Sequence, residues 1–538
     1  MFALLNPFNI VIFGLWSISA ILDYVEFCHI WQLKEYRIDR MRDFFSTKQG
    51  QSWWLNYFLL IRIFLVFLVY FWPINEIVHL KLGILAWFTV DVLYHVSRLL
   101  RRSLRYPNPT VKAVLLIISA FLFEFNLAIL SRDWNVVFFF LIARFFVISF
   151  LVLVLNQITH RIKEWIIWRA TKKIATYQKL IVIGITGSYG KSSVKEYLSQ
   201  ILAEKYRILK TPGNTNTDIG VAKFILRSDL DSVDIFVVEM GAYQIGEIKK
   251  ICGIVKPKIG ILTAIIEQHL SLFGSIENIQ EAKYELLRAI PRDGLVITNA
   301  DNIFCSELLP NLDCERKETF GEDIKNMPDC LISDIKTKAE FAVEWNIDYQ
   351  EGTLSFSAPL LGAHQANNIT PAIMVARYLG VSVNQITHAV SHLRPGEKAL
   401  SVYQYGRATI IDDTYNSNPV GFKASLSILT SFPSTLPRIV ITRGMLELGE
   451  KTREYHEQIG EEISFSADEL IIITPDFVED FMAGISALKD KYRLKDVKTI
   501  FSAVELLEYI KNRSHEPVII LLENRMPLNV YQEIKKNI

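Results

Sequence analysis

A helical membrane domain followed by two α/β domains is the architecture that this 538-residue sequence predicts. Three observations predict it. Long apolar runs crowd the first third of the chain. A short apolar run, Leu180–Ile185, passes through a glycine turn straight into a segment of helical periodicity. Strand, loop and helix patterns then recur to the C-terminus, the signature of parallel sheets covered by helices.

The length is too great for one domain and suits two or three. With 58 Lys+Arg against 57 Asp+Glu the net charge is +1, and no basic-aromatic patch stands out. Nucleic acid is therefore not an expected partner. The five cysteines (Cys28, Cys252, Cys305, Cys314 and Cys330) are scattered, without a CxxC pair. Neither a disulfide framework nor a zinc site is indicated, and the pattern fits a reducing compartment.

From Met1 to about Leu22 there is no charge, no basic segment in front and no cleavage site behind, so a removable signal peptide is not expected. Further apolar runs lie near Trp53–Trp72, Leu82–Val96, Ala113–Leu130 and Val136–Leu155. At about 20 residues per span, residues 1–157 read as five transmembrane helices. Basic residues gather after the first run (Lys34, Arg37, Arg40, Arg42), the third (Arg98, Arg101, Arg102, Arg105) and the fifth (Arg161, Lys163, Arg169, Lys172, Lys173). The positive-inside rule then puts everything beyond about residue 157 in the cytoplasm of a multi-pass inner-membrane protein. Arg62, Asp91, Glu124 and Arg144 fall inside apolar runs. Pairing between helices and a site for a lipid-borne head group both explain such residues. Residues 158–178 mix isoleucines with tryptophans and lysines, which suits a connector lying in contact with membrane lipid at the interface.

The central domain, 179–395, opens on Thr186-Gly187-Ser188-Tyr189-Gly190-Lys191-Ser192-Ser193. A strand, a tight turn and a helix start together make a phosphate site, because free N–H groups and the positive dipole end point at the anion. Lys191 would reach the terminal phosphates of ATP, and the Ser192 hydroxyl would hold Mg2+. Glu239 ends the apolar strand Ile235–Val238, beside that loop in an open α/β sheet, and is a candidate ligand for the same ion. A further strand is expected over Ile259–Ile266, followed by His269 and a helix starting near Ser275, with Ser275 and Asn278 as candidate caps.

The short loop form T-G-x-x-G-K-[ST] resembles that of the Mur ligases, which join amino acids to cell-wall precursors. The stretches EMGAYQIGEI (Glu239–Ile248), HLSLFGS (His269–Ser275), AKYE (Ala282–Glu285) and GNTNTDIG (Gly213–Gly220) are similar to the branch of that family that adds D-alanyl-D-alanine. The resemblance implies that Ser192 and Glu239 hold one Mg2+ and that His269 helps hold a second. It also implies that Lys283 is carbamylated to supply a carboxylate ligand, and that Asn299, His364 and Asn368 contact the nucleotide or order its loops.

The C-terminal domain, 396–538, reads as a small Rossmann-like unit without a dinucleotide fingerprint. Strands are expected at Ala408–Ile411, Arg438–Thr442, Glu469–Ile473 and Val518–Leu522. DDTYNSNP (Asp412–Pro419), GMLELGE and His456 again resemble the family, which implies that Asp413, Tyr415, Asn416 and Asn418 close over the nucleotide and the incoming amine. The sequence departs from the family at Glu397, where an arginine is usual (Lys398 or Arg394 being the alternatives), at Arg443-Gly444-Met445, and at LLENR, which keeps only Arg525. Apolar helices stand where the family has a domain that grips a sugar nucleotide. The implied activity is ATP-dependent amide synthesis through an acyl phosphate, with Lys191, His269, Lys283 and Asp413 at the reacting centre. The implied substrates are D-alanyl-D-alanine and a UDP-linked or lipid-linked muramoyl peptide. A superfamily ligase with another product, and a nucleotide-binding membrane scaffold without turnover, remain the competing expectations.

Overall fold

The structure, a computed structural model, describes residues 7–46, 50–51, 53, 57–71, 77–101, 104–131, 134–268, 270–338, 342–349, 352–396, 399–415, 417–488 and 492–536. The chain divides into two compact units, Met1–Glu164 and Trp165–Ile538.

In the first unit four helices are long and apolar enough to cross a bilayer: Asn9–Leu33, Leu82–Leu100, Val111–Ser131 and the apolar part of Val136–Ile174. The second expected span appears as the 15-residue helix Tyr57–Phe71. At 1.5 Å per residue that is about 22 Å, short of the ~30 Å hydrocarbon core. Its flanks, residues 54–56 and 72–76, lie outside the described residues. The last helix runs unbroken from Trp134 to Ile174, so most of the expected connector, up to Ile174, continues the fifth apolar run as one helix.

The charges inside these apolar helices form one buried network. Arg62 contacts Asp23 at 2.8 Å and Asp91 at 2.7 Å. Arg144 contacts Asp23 at 2.8 Å and Glu124 at 3.0 Å. Tyr24 and Trp16 donate to the two oxygens of Glu124 at 2.7 and 2.8 Å, and Arg144 also donates to the Ser19 hydroxyl at 2.8 Å. Each cation is thus matched by carboxylates from other helices, the arrangement in which a buried charge is tolerable.

The second unit holds two sheets. The first has nine strands in the order β2-β3-β1-β4-β5-β6-β7-β8-β9. They are β1 (Ile181–Thr186), β2 (Ile208–Lys210), β3 (Ile235–Glu239), β4 (Ile259–Leu262), β5 (Leu295–Asn299), β6 (Arg316–Gly321), β7 (Cys330–Lys338), β8 (Ala342–Tyr349) and β9 (Gly352–Ala358). Pairing is parallel from β2 to β7 and antiparallel beyond. Both faces are covered, because successive strand side chains point to opposite sides. Ile183, Ile185, Val237 and Ile261 pack into one core, and Val182, Phe236, Val238 and Leu262 into the other. β4 stops at Leu262, four residues earlier than expected, and residues 263–266 form a loop beside the glycine turn.

The second sheet has the order β10-β11-β15-β12-β13-β14. Its strands are β10 (Ser401–Tyr405), β11 (Ala408–Asp413), β12 (Arg438–Thr442), β13 (Glu469–Ile472), β14 (Asp496–Thr499) and β15 (Ile519–Glu523). Only β10–β11 is antiparallel. The alternation repeats here: Ile411, Val440 and Leu521 face one core, and Ile410, Ile441 and Leu522 the other.

Arg144→Met would strand Glu124 inside the apolar unit. Breaking such a pair costs roughly 3–5 kcal/mol, and the double variant Arg144→Met/Glu124→Gln should recover part of it. Thermal unfolding of the full chain in lipid measures both; a single variant as stable as the parent would contradict the network.

Candidate functional site

β1 is the strand at which the connections change direction, passing first to β2 and β3 on one side and then to β4 on the other. Ligands of open α/β sheets collect at the C-terminal end of such a strand. Here that end carries the glycine turn. Gly187 has φ +150° and Gly190 φ +79°, and a Cβ on Gly187 would lie 2.0 Å from Thr263 Oγ1. Side chains are excluded at Gly187 by contact and disfavoured at Gly190 by backbone conformation. Gly190 also N-caps the helix Lys191–Leu202 without any side-chain cap, so the turn leads directly into the helix N-terminus.

The turn is stapled to residues 263–266. Ser188 N–H donates to Ala264 O at 2.7 Å, the Thr263 hydroxyl to Tyr189 O at 2.5 Å, and Ile266 N–H to Ser188 Oγ at 3.1 Å. On the other side the Thr186 hydroxyl donates to Met240 O at 2.9 Å. Lys191 Nζ donates to Gly187 O at 2.5 Å and Ser188 O at 3.0 Å. Burial holds its pKa below the ordinary lysine value, against the opposing pull of Glu239. Ser193 follows, half-buried, in the first turn of the helix.

Glu239 lies opposite Ile185 in the β1–β3 ladder, so the strand register alone brings it to the turn. Its Oε2 accepts from the Ser192 hydroxyl at 2.8 Å and Lys195 Nζ at 3.1 Å, and its Oε1 from Asn216 Nδ2 at 3.1 Å. Burial pushes the carboxyl up, but the charges of Lys195 and Lys191 and the donated hydrogen bonds outweigh it, and the pKa stays below the ordinary value. Lys195 and Asn216 were not among the residues singled out from sequence. Lys195 follows Lys191 by one helical turn on a helix-periodic segment, which is the signal that could have found it.

Ser192 and Glu239 offer a hydroxyl and a carboxylate within hydrogen-bond distance, the hard oxygen donors that Mg2+ takes. His269 lies outside the described residues. Among the described residues no group of three or more His, Cys, Asp or Glu gathers as a metal site. Lys283 is buried on the helix Ile276–Arg288. Burial, then the charge of Lys191, lowers its pKa to about 7, with Glu247 opposing. Ser275 caps that helix by accepting from Asn278 N–H at 3.3 Å, so Asn278 is the donor and not a second cap.

Other expected residues do mainly local work. Asn299 Oδ1 accepts from Asp301 N–H at 2.8 Å, forming a turn, and Asn302 Nδ2 donates to Ile265 O at 2.9 Å. His364 occupies the N-cap position of the helix Gln365–Tyr378 without a side-chain cap bond, and burial lowers its pKa to about 4, which keeps it neutral. Asn368 Oδ1 sits 2.8 Å from the point where a Gly190 Cβ would be, directly against the turn. Arg394 meets Gln200 through its backbone, while Glu397 and Lys398 are outside the described residues.

The C-terminal sheet approaches the turn through the loop after β11. Tyr415 is hydrogen-bonded to Asn214 and feels the charge of Glu239. Tyr455 donates to Glu267 at 2.6 Å. Between these sheets lies a mostly apolar cavity of about 250 Å³, lined on one side by Ile266 and Glu267 and on the other by Val420, Lys423 and Tyr455. Asp413 is held next to Ser425, and burial raises its pKa to about 6. Asn418 is the N-cap of the helix Pro419–Ser431, accepting from Gly421 N–H at 2.9 Å, so its oxygen is engaged by its own helix; Asn416 is outside the described residues. His456 is neutral: its Nδ1–H is assigned to Thr452 O at 2.6 Å, and Nε2 accepts from Met445 N–H at 2.9 Å.

Lys283 has a testable signature. Its folded-state pKa lies below the ordinary 10.5, so between about pH 7 and 10 the unfolded chain binds the extra proton and stability rises with pH. Lys283→Met removes that dependence. The stability advantage of the variant over the parent should be greatest near pH 7 and shrink by pH 10 in denaturation experiments; parallel curves would place Lys283 in water.

Comparisons with known proteins agree with this geometry. Residues 185–376 match the family described as the Mur ligase middle domain, and residues 400–522 the one described as Mur ligase, glutamate ligase domain. Over 284 residues the chain is 31% identical to the UDP-N-acetylmuramoyl-tripeptide–D-alanyl-D-alanine ligase of Bacillus subtilis (strain 168), covering 53% of this chain and 60% of that protein. The corresponding Escherichia coli (strain K12) ligase is 29% identical over 282 residues, covering 52% and 61%. The chain thus spans about 60% of the length of these curated relatives. Among solved structures, MurF from Acinetobacter baumannii superposes with a TM-score of 0.61 at 25% identity, covering 70% of this chain and 80% of that one. MurF from Thermotoga maritima in complex with ADP shares the fold, with a TM-score of 0.59 at 23% identity over 70% and 85% of the two chains. The two family matches together take in more than half of the sequence, and the chain belongs to the Mur ligase family.

Proposed function

We propose that this protein is an ATP-dependent amide ligase of cell-wall precursor synthesis, joining D-alanyl-D-alanine to a muramoyl tripeptide. The observation that carries the reading is the convergence of Ser192 and Glu239 at the glycine turn after β1, 2.8 Å apart. The relatives named above, whose names specify that acceptor and that dipeptide, support the choice of substrates.

In this reading the turn N–H groups and the helix N-terminus hold the phosphates, and Lys191 leaves the turn carbonyls for the terminal phosphate. Ser192 and Glu239 would hold Mg2+, with His269 and a carbamylated Lys283 as further ligands. The metal, when bound, supplies neutralisation of phosphate charge. A lysine pKa lowered to about 7 leaves part of the amine neutral at physiological pH, the form that adds to CO2. The acceptor carboxylate attacks the γ-phosphorus and expels ADP. The amine then attacks the acyl carbon and expels phosphate, yielding the amide and a proton. Asn299, His364 and Asn368 keep the turn and its surrounding loops in order. Asp413, Tyr415 and the Asn416 segment close over nucleotide and amine, so positioning supplies much of the rate.

The apolar helices favour a membrane location with the α/β domains on the cytoplasmic side. Trp165 and Trp168 are exposed, with Arg169 and Lys172 set over their rings at 4.9 and 4.1 Å, a composition suited to the lipid interface. That location favours a second reading of the acceptor, lipid-linked instead of UDP-linked. The network around Arg62 and Arg144 argues against those residues as its head-group site, because their charges are already matched.

ADP formation by the full chain in lipid nanodiscs should require both a muramoyl tripeptide and D-alanyl-D-alanine. Lys191→Ala should lower it at least 100-fold. Turnover that survives that substitution would contradict the site, and ADP formation indifferent to the amine would contradict the reaction. Comparing UDP-linked with lipid-linked tripeptide decides between the two acceptors.

A further inference from the structure

The β11–β15 ladder sets Asp413 directly beside Glu523, at the C-terminal ends of two adjacent parallel strands. Glu523 is fully buried. Its Oε1 accepts from the Ser417 hydroxyl at 2.7 Å, and among the described residues no donor group meets its Oε2. Asp413 Oδ2 accepts from the Ser425 hydroxyl at 2.5 Å.

The groups that hydrogen-bond or register with the pair are hydroxyls. β12 presents Thr442, which is Glu523's register partner on that side; the helix Pro419–Ser431 presents Ser425, and the loop presents Ser417. The nearby cations are held by other carboxylates. Asp412 meets Lys535 at 3.0 Å and still adds a like charge beside Asp413, while Lys423 meets Glu462 at 2.6 Å. Neighbouring carboxylates without a cation between them repel, so the pair keeps a proton. Burial pushes both groups above the ordinary carboxylate range, Glu523 furthest.

We propose that Glu523 is a positioning residue that shares one proton with Asp413 across the β11–β15 ladder and thereby fixes Ser417 and the 443–445 loop beside the pair. Three contacts transmit the effect. Ser417 is tied to Glu523 itself. Asn524 N–H donates to Asp413 O at 3.1 Å, and Asn524 Nδ2 donates to Gly444 O at 2.5 Å, which ties the 443–445 loop to the same pair. When the shared proton leaves for solvent, two anions face each other and the loop loses its anchor. The proposal rests on the ligase reading for its consequence in turnover, but not for its consequence in stability.

The test compares the parent, Glu523→Gln and Glu523→Ala as full chains in lipid nanodiscs. A carboxyl whose folded pKa is raised contributes stability that is lost as pH rises. From pH 5.5 to 9 the parent Tm should therefore fall relative to that of Glu523→Gln, whose amide keeps the hydrogen bond and cannot ionise. In ADP formation, the alkaline limb of the parent should move up by at least one pH unit in Glu523→Gln. Glu523→Ala should lose 10-fold or more at every pH, so the amide variant rescues what the alanine variant loses. Parallel Tm curves, or an unmoved alkaline limb, would overturn the proposal. Absence of turnover with every substrate would instead count against the ligase reading, and the Tm comparison would still decide the role of Glu523.

Discussion

A carboxylate buried at the end of a strand has to be paid for in hydrogen bonds and charge, and Glu239 shows how that requirement organises the middle domain. Only 2% exposed, it draws Ser192 and Lys195 from one helix and Asn216 from another segment. Removing any one donor leaves a charged oxygen short of partners, which is costly in a low-dielectric setting. The glycine turn, the helix after it and the loop at 213–216 are thereby held in one arrangement. Within that arrangement the Ser192 hydroxyl and the Glu239 carboxylate are the oxygen groups that the proposed Mg2+ would meet.

The second constraint is steric. Thr263 occupies the space that a side chain at Gly187 would need, and Asn368 crowds Gly190. The turn is squeezed between β4's loop and the helix Gln365–Tyr378, both remote in sequence. Tyr455 on Glu267 and Tyr415 on Asn214 bring the C-terminal sheet to the same place. In the first unit the logic is inverted: Arg62 and Arg144 are satisfied by Asp23, Asp91 and Glu124, so the polar groups in apolar surroundings close on themselves and leave their cations no spare charge for a ligand.

Much of the fold was legible because apolar runs are a direct record of burial. Leu180–Ile185, Ile235–Val238 and Arg438–Thr442 became strands in place, and Glu239 was readable as a strand-end carboxylate. The rest depends on register and packing, which a single sequence does not carry. Lys195 looks like any helix lysine until β3 is set beside β1. Glu523 looks like a strand-end glutamate until β15 is paired with β11 and meets Asp413. Asn278 was read as a second cap because a polar residue near a helix start suits a cap or a donor equally; only the hydrogen-bond geometry separates them. The β4 overrun has the same origin, since Thr263–Ile266 is apolar enough to extend a strand yet is bent away by its bonds to the turn.

If Glu239 is the pivot between the turn and a bound cation, the most direct measurement is ADP affinity with and without Mg2+, in the parent and in Glu239→Gln. The amide preserves shape and can still meet Ser192, but it offers no charge to the ion. The expected result is that Mg2+ tightens ADP binding 10-fold or more in the parent and by less than 2-fold in the variant, while metal-free binding is similar in both. An equal Mg2+ effect in the two proteins would contradict the role of Glu239 and, with it, the placement of the nucleotide on the turn after β1.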